Sequence, residues 1–308
     1  MSLAQAQILI PTLNGRALLE KHLAGAVEPV GAENVIVVDD GSTDGSAEML
    51  RRDFPEVRVI ERKRNGGFSA AVNDGIRATS GEFVVLLNND VEVAPGYLDP
   101  MLPLFEDASV FGVTPRILVP RLGNLDEGAK TLLWHHGMVY AGQREGLSHV
   151  TPVICATGCA AIYRRSMLEV LAGFDEAYSP FYWEDVDLSY RAWKRGWKTL
   201  YQPASAVIHQ HSASTGLLSR SYTEEIKARN AFFFIWRNIA DPGLLSRHRK
   251  WLPLVLAKRI AMSDRACVKG WLQALKHRRE AELARSKDDL NRVWADREIF
   301  ALTGVDIP

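Results

Sequence analysis

The stretch Asn34-Val35-Ile36-Val37-Val38-Asp39-Asp40-Gly41-Ser42-Thr43-Asp44-Gly45-Ser46 passes without a break from apolar residues to carboxylates, glycines and small capping residues. An apolar run without alternation suits a parallel strand buried on both faces. Polar residues directly after it mark the carboxyl end of a strand in an open α/β sheet, where ligands bind. The pattern recurs on both sides. Gln7-Ile8-Leu9-Ile10-Pro11 reads as a first strand and Thr12-Leu13-Asn14-Gly15 as the turn into a helix. Val57-Arg58-Val59-Ile60 and Glu82-Phe83-Val84-Val85-Leu86-Leu87 read as a third and a fourth strand. The predicted fold is α/β with a mostly parallel sheet. Neither GxGxxG nor GxxxxGK[ST] follows any of these strands, which disfavours a dinucleotide dehydrogenase and a P-loop enzyme.

Each strand end carries a candidate ligand contact. Asp40 can accept from a pyrimidine N3–H, while Asp39 suits a turn cap and Asp44 a helix cap. In Arg64-Asn65-Gly66-Gly67-Phe68 the glycines allow close backbone approach, the following helix offers free N–H groups to an anion, and Arg64 adds charge. That fits a diphosphate or ribose contact, and equally an ordinary glycine turn into a helix. Asn88-Asn89-Asp90 at the tip of the fourth strand offers oxygen ligands suited to Mg²⁺ or Mn²⁺.

A second cluster lies at Phe181-Tyr182-Trp183-Glu184-Asp185-Val186-Asp187. Ring faces cover sugar C–H groups, and carboxylates accept sugar hydroxyls and can remove a proton. Trp183 and Asp187 are therefore candidate acceptor contacts, with Glu184 and Asp185 as candidate catalytic groups. The plainer reading is a helix start, with Glu184 and Asp185 at its N-terminus and Asp187 paired to Arg191 one turn later. Gly196 suits the end of that helix. Small residues at Thr157-Gly158 leave room for a substrate, or for close strand packing. His135 and His136 are expected on opposite faces of a strand, which argues against a shared metal. Trp197 to Tyr201 and Ala206 to Ser212 read as two strands, Ser212 and Ser214 as phosphate contacts or solvated loop, and Tyr222 to Ile239 as a packing helix.

Whole-chain numbers narrow the classes. With 37 basic and 37 acidic residues in 308, the charge balances, and nucleic acid is not an expected partner. The cysteines Cys155, Cys159 and Cys267 form no CxxC, which favours a reducing compartment over a zinc site. No positively charged leader opens the chain, and no apolar run has the length of a membrane span. A cytoplasmic protein is expected, with peripheral attachment to the inner face of the cell membrane open. Asp241-Pro242-Gly243 suggests a boundary between residues 1–240 and a helical region 241–308. From Arg247 to Arg279 there are ten Lys or Arg against the single acid Asp264, beside Trp251 and Leu252. Such helices can rest on an anionic membrane surface or form a homodimer. Glu280 to Arg297 reads as charged and helical, mainly solvated or coiled against a partner.

The order Ile10-Pro11-Thr12-Leu13-Asn14, Val38-Asp39-Asp40-Gly41-Ser42, Asn65-Gly66-Gly67-Phe68 with Asn73-Asp74-Gly75, Leu87-Asn88-Asn89-Asp90, and Gly173-Phe174-Asp175-Glu176 with Glu184-Asp185 resembles family 2 glycosyltransferases. The likeness is greatest to the bacterial rhamnosyltransferase and galactofuranosyltransferase-like branch. It implies a GT-A, Rossmann-like fold: a mixed, mostly parallel sheet flanked by helices, here with a C-terminal helical appendage. It also implies inverting transfer from a nucleoside diphosphate donor, dTDP-rhamnose or a UDP-sugar, to a glycan or polyprenyl-linked acceptor in surface polysaccharide synthesis. By the resemblance, Asp40 holds the base, and Pro11, Thr12, Asn14, Arg64, Asn65, Gly66, Gly67, Asn73, Asn88 and Asn89 line the donor pocket. Asp90 and His209 bind Mg²⁺ or Mn²⁺, His209 ahead of His211; Asp185 is the base beside Glu184; Gly158, Trp183 and Asp187 meet the acceptor. Asn88 departs from the family's DxD pattern at its first position. Two other readings compete. A non-catalytic nucleotide-sugar or glycan-binding subunit needs no base at Asp185, and a sugar-nucleotide pyrophosphorylase wants a GxGxR loop that this chain lacks after its first strand.

Overall fold

A computed structural model of the chain describes residues 5–211 and 219–307. The four expected strands are present as β1 (Ala6–Thr12), β2 (Val35–Asp39), β3 (Arg58–Glu61) and β4 (Phe83–Leu87). Helices α1 (Arg16–Val27), α2 (Ser46–Asp53) and α3 (Phe68–Ala78) connect them. There follow β5 (Val91–Val93), β6 (Val110–Val119), β7 (Leu125–Asp126), the hairpin β8 (Lys130–His135) and β9 (Met138–Gln143), β10 (Thr151–Pro152) and β11 (Ala160–Arg164). The remainder is α4 (Arg165–Val170), α5 (Glu184–Lys194), β12 (Lys198–His209), α6 (Arg220–Asn238), α7 (Pro242–Ala261), α8 (Arg265–Lys276), α9 (Arg278–Asp289) and α10 (Asp296–Leu302).

The main sheet runs β10-β12-β6-β11-β4-β1-β2-β3, with β5 on β12 and β7 on β6. Pairs β3–β2, β2–β1, β1–β4 and β6–β12 are parallel; β11 is antiparallel to both of its neighbours. Successive residues of a strand face opposite sides, and the apolar clusters follow that rule. Ile8, Ile10, Val35, Val37, Val85 and Leu87 pack toward α1 and α2, whereas Leu9, Ile36, Val38, Val84 and Leu86 pack toward α3, α4 and α5. Each such fully buried side chain contributes about 1.5–3 kcal/mol, so a strand buried on both faces is fixed in register before any polar contact is counted. A third cluster joins the hairpin, α5 and α6 to the C-terminal helices through Leu132, Trp193, Phe232, Phe234, Trp236 and Phe300.

Several expectations need correction. Residues 198–209 form one strand rather than two, with an irregularity in its pairing to β6 between Gln202 and Ala206. His135 and His136 do not point apart: His136 has φ 48° at the hairpin turn, and the two rings lie 3.7 Å apart. The stretch from Glu280 to Arg297 breaks between Asp289 and Asp296, where Val293 N–H donates to the Lys194 carbonyl instead of continuing a helix. Asp44 serves two helix starts: Oδ1 accepts from Ser46 N–H, the first residue of α2, at 3.0 Å as expected, and Oδ2 also accepts from Arg16 N–H, the first residue of α1, at 2.9 Å.

Candidate active site

The ends of β1, β2 and β4 meet at one side of a cavity of about 1170 Å³. Parallel pairing sets Thr12 beside Asp39, and the Thr12 carbonyl accepts from Asp40 N–H at 2.8 Å. Asn89 donates from its side chain to Thr12 Oγ1 at 2.8 Å. Pro11, Thr12, Asp40, Asn65, Gly67, Asn88, Asn89 and Asp90 all reach the cavity wall. Asn14, Arg64 and Gly66 do not line it. Asn14 accepts from Thr43 N–H at 2.8 Å and so holds the loop after β2; Arg64 is exposed.

The glycine turn behaves differently from its expectation. Its amides are not free for an anion, because Gly66 and Gly67 N–H donate to the Asp40 carboxylate at 3.0 and 2.9 Å, and Phe68 N–H donates to the Pro180 carbonyl at 3.2 Å. The anion cradled there is the protein's own. Arg62 also donates to Asp40 and, at 2.7 Å, to Asp74. Burial pulls the Arg62 guanidinium down, but Asp40 and Asp74 outweigh it and hold its pKa above the usual value. Asp40 therefore fixes the turn and presents what remains of its acceptor capacity to the cavity.

At the middle of the cavity stand Asp90 and His209. Strand β12 pairs antiparallel with β5, placing His209 opposite Val91, and Gln210 N–H donates to the Asp90 carbonyl at 3.1 Å. His209 Nε2 then lies 3.2 Å from Asp90 Oδ1, while its buried Nδ1 has no partner among the described residues. Beyond it, ligand atoms of His209, His211 and Glu127 lie within 4.8 Å of one another. Burial raises Glu127, but the His211 hydrogen bond and nearby Lys130 outweigh it, so its carboxyl titrates below the ordinary range. Lys130 is drawn down by burial and held above its usual value by Glu127 and Asp185.

The other side is the turn into α5. Asp185 Oδ2 accepts from Gly158 N–H at 3.0 Å and Oδ1 from Val186 N–H at 2.8 Å, which pins the carboxylate at the cavity wall. Tyr182 and Trp183 both adopt positive φ, 71° and 77°, a conformation costly for large residues. Asn230 on α6 holds that turn: its side-chain amide donates to the carbonyls of Tyr178, Phe181 and Tyr182 at 2.9, 3.0 and 2.7 Å. Trp183 lines the cavity and packs on Phe234 at 5.2 Å. Burial, with Asp185 next to it, pushes Glu184 up to about 8, and its Oε2 has no partner among the described residues.

Two residues expected at the site are structural. Asp187 is fully buried, accepting from Tyr178 Oη at 3.0 Å, Arg191 at 2.7 Å and Asn238 at 2.8 Å, so it cannot meet an acceptor; the pairing with Arg191 is the one expected. Asn73 is also buried, exchanging hydrogen bonds with the Phe174 carbonyl and N–H at 2.9 Å each, and clips α3 to residues 173–176. Ser212 and Ser214 lie outside the described residues. Glu127, Lys130 and Asn230 carry no signal in the local sequence. The nearest to one is the Glu127-Gly128-Ala129-Lys130 run, two charges entering a strand after a glycine.

The family model of Glycosyl transferase family 2 matches residues 7–172. A pre-mycofactocin glycosyltransferase of Mycobacterium tuberculosis is 30% identical over 259 residues, covering 81% of this chain and 50% of the relative. An N-acetylglucosaminyl-diphospho-decaprenol L-rhamnosyltransferase of the same species is 29% identical over 245 residues, covering 71% of this chain and 76% of the relative. The chain thus spans about half the length of the first relative and three quarters of the second. Among solved structures, GalNAc-T7 with UDP, GalNAc and Mn²⁺ superposes with a TM-score of 0.60 at 19% identity, over 77% of this chain and 48% of that one. S. aureus TarS with UDP-GlcNAc does so with a TM-score of 0.59 at 16% identity, over 93% and 88%. At these identities the likeness shows the fold, which is GT-A.

Proposed function

This chain belongs to glycosyl transferase family 2, and on that premise we propose that it moves a sugar, with inversion, from a nucleoside diphosphate to a glycan or lipid-linked hydroxyl. The observation that carries the reading is one cavity holding Asp40, the Asp90–His209 pair and the pinned Asp185 together. A volume of about 1170 Å³ exceeds what one drug-sized ligand fills, which suits donor and acceptor side by side.

In this reading Thr12, Asp40 and Asn65 receive the nucleoside, and the aromatic wall at Tyr182 and Trp183 covers the C–H face of a sugar. Asp185 takes the proton of the attacking hydroxyl as the new C–O bond forms. The bond from the anomeric carbon to the phosphate oxygen breaks on the opposite face, and the nucleoside diphosphate leaves with its electron pair. Carboxylate and imidazole donors at Asp90 and His209, one nitrogen of the latter buried without a partner among the described residues, fit a divalent cation. Such a cation, when bound, offsets the charge gathering on the departing diphosphate. The relative named as a rhamnosyltransferase on a diphospho-decaprenol and the neighbour solved with UDP-GlcNAc favour a rhamnosyl donor, which we take as dTDP-rhamnose, or a UDP-sugar, and a diphospho-polyprenyl acceptor.

A thermal-shift panel of dTDP, UDP and GDP, each with and without Mn²⁺, tests the donor half. Stabilisation follows ligand concentration over Kd, so one pyrimidine diphosphate is expected to raise Tm and to raise it further with Mn²⁺. No shift with any of the three would favour the non-catalytic reading instead.

We further propose peripheral attachment to an anionic membrane. No helix among the described residues is long and apolar enough to cross one. Helix α7 exposes Trp251, Leu254, Ile260 and Met262 (the last in the turn after it) beside Arg249, Lys250 and Lys258, the mixture that anionic interfaces retain. Co-sedimentation with phosphatidylserine vesicles should fall in a Trp251→Glu, Leu254→Glu variant; equal sedimentation of variant and parent sinks the idea.

A further inference from the structure

Among the described residues, the Lys and Arg side chains that line the cavity are Lys130, Lys227 and Arg259. Two of them are engaged locally. Lys227 pairs with Glu224 at 3.1 Å and lies 5.0 Å from the centre of the Tyr182 ring, and Arg259 pairs with Asp264 at 3.0 Å. Lys130 has no carboxylate at ion-pair distance among the described residues. Its strongest electrostatic neighbour, Glu127, turns Oε2 to His211 at 3.0 Å instead.

The backbone holds Lys130 firmly. Two residues earlier, a Cβ on Gly128 would come within 2.1 Å of the Pro115 carbonyl oxygen, so only glycine lets the chain enter β8 along this path. Lys130 N–H donates to the Gly128 carbonyl at 3.2 Å, and the Lys130 carbonyl accepts from Ile154 N–H at 3.1 Å. Alternation along β8 puts Lys130 on the face of Leu132, which packs in the cluster of α5 and α6. The carboxylates that act on its ammonium most are Glu127 and then Asp185. A lysine kept for stability alone would close on one of them, because a cation taken out of water without a contact partner is strongly destabilising. Burial does draw this ammonium toward discharge, but the two carboxylates outweigh it and keep it charged at the cavity wall.

We propose that Lys130 receives a phosphate oxygen of the substrate, and so distinguishes a diphosphate ester from the bare nucleoside or lipid alcohol. The rest of the wall is rich in acids, with Asp40, Asp90, Glu127, Glu184 and Asp185, so an entering anion needs a cation that is not already engaged at contact range. A lysine ammonium is a compact point charge with rotatable donors, which suits a phosphate oxygen. No proton moves; the oxygen gains a charge-assisted hydrogen bond. The inference rests on the transfer reading. The same chemistry is offered by the diphosphate of the donor and by that of a lipid-linked acceptor, and the experiment separates the two.

Calorimetric titrations of the full chain with UDP, dTDP, farnesyl diphosphate and millimolar uridine, repeated on Lys130→Met and Lys130→Arg, test it. Lys130→Met is expected to weaken binding of the diphosphate it serves by about ten- to hundredfold and to leave uridine as in the parent, with Lys130→Arg recovering most of the loss. A loss confined to UDP or dTDP assigns Lys130 to the donor, and one confined to farnesyl diphosphate assigns it to the acceptor. Where Lys130→Met folds poorly, reductive methylation of the parent decides: a bound diphosphate should shield Lys130, and uridine should not. Unchanged affinity for every diphosphate in folded Lys130→Met, an equal loss for uridine, or no shielding in the parent overturns the proposal and leaves the transfer reading standing. A parent that binds neither a nucleoside diphosphate nor farnesyl diphosphate strikes both.

Discussion

On one side of the cavity Thr12, Asp40 and Asp90 follow the ends of β1, β2 and β4, and the backbone ladder of the sheet sets their positions. On the other, Asp185 follows a turn with two left-handed aromatics, held by side chains that come from distant parts of the chain. The first arrangement distributes its support over many hydrogen bonds and apolar contacts. The second concentrates it in a few polar atoms, so single substitutions should act more strongly there.

The largest effect is expected at Asp185, the proposed base. Asp185→Asn keeps an oxygen for Gly158 N–H but turns its NH2 toward Val186 N–H, so stability should fall by about 1 kcal/mol with nucleotide-induced Tm shifts retained, while kcat falls by about 10²–10⁴. Transfer at the parent's rate would remove Asp185 from the mechanism. Next comes Glu184. Its folded pKa of about 8 lies above the model-compound 4.5, so the unfolded chain releases this proton first and its stability contribution falls as pH rises from about 4.5 to about 8. Glu184→Gln removes that titration and should gain stability over the parent across this window, by on the order of a few kcal/mol. Melting curves at pH 5, 6.5, 8 and 9 that run parallel for the two proteins would contradict it.

Two amide deletions then set the sides against each other. Asn230→Ala removes the side-chain donor to the Tyr178, Phe181 and Tyr182 carbonyls, of which Tyr178 keeps Arg229, and should lower unfolding free energy by about 2–3 kcal/mol. Asn89→Ala removes one hydrogen bond at a strand end and should lower it by about 1 kcal/mol. Urea midpoints measure both; equal losses would erase the distinction between ladder-held and side-chain-held halves.

That distinction also explains what could be read from the residues alone. Strands β1, β2 and β4 are legible because burial on both faces demands uninterrupted apolar runs, and their polar ends are legible because polar residues follow at once, whereas β3 is the half-exposed edge strand and is shorter and less apolar. Asp40 and Asp90 stand out as candidates that way, and the turn at Asp185 by its unusual density of aromatics and acids. Glu127, Lys130 and Asn230 were not, since each is an ordinary residue locally and gains its meaning from partners elsewhere in the chain. Asp187 and Asn73 misled for the same reason. A carboxylate in a cluster of three and an asparagine beside a glycine turn look like ligand contacts until their buried partners Tyr178, Asn238 and Phe174 come into view. The stacking of His211 on His209 is not legible in the chain, because the backbone reversal that returns its ring depends on a single φ angle of 48°.

The apolar cluster that binds the hairpin, α5 and α6 to the C-terminal helices bears on how new specificities could be assembled from relatives. Cutting after Ala240 would strip Trp236, Ile239 and Phe232 of neighbours such as Leu244, Ile299 and Phe300, at about 1.5–3 kcal/mol for each large side chain newly exposed. The boundary that looks natural in the chain is therefore a poor crossover point. A chimera that imports a relative's specificity should carry the hairpin 130–143, the turn and helix 178–194 and everything from α6 onward as one inherited block, leaving strands β1 to β4 behind as the host.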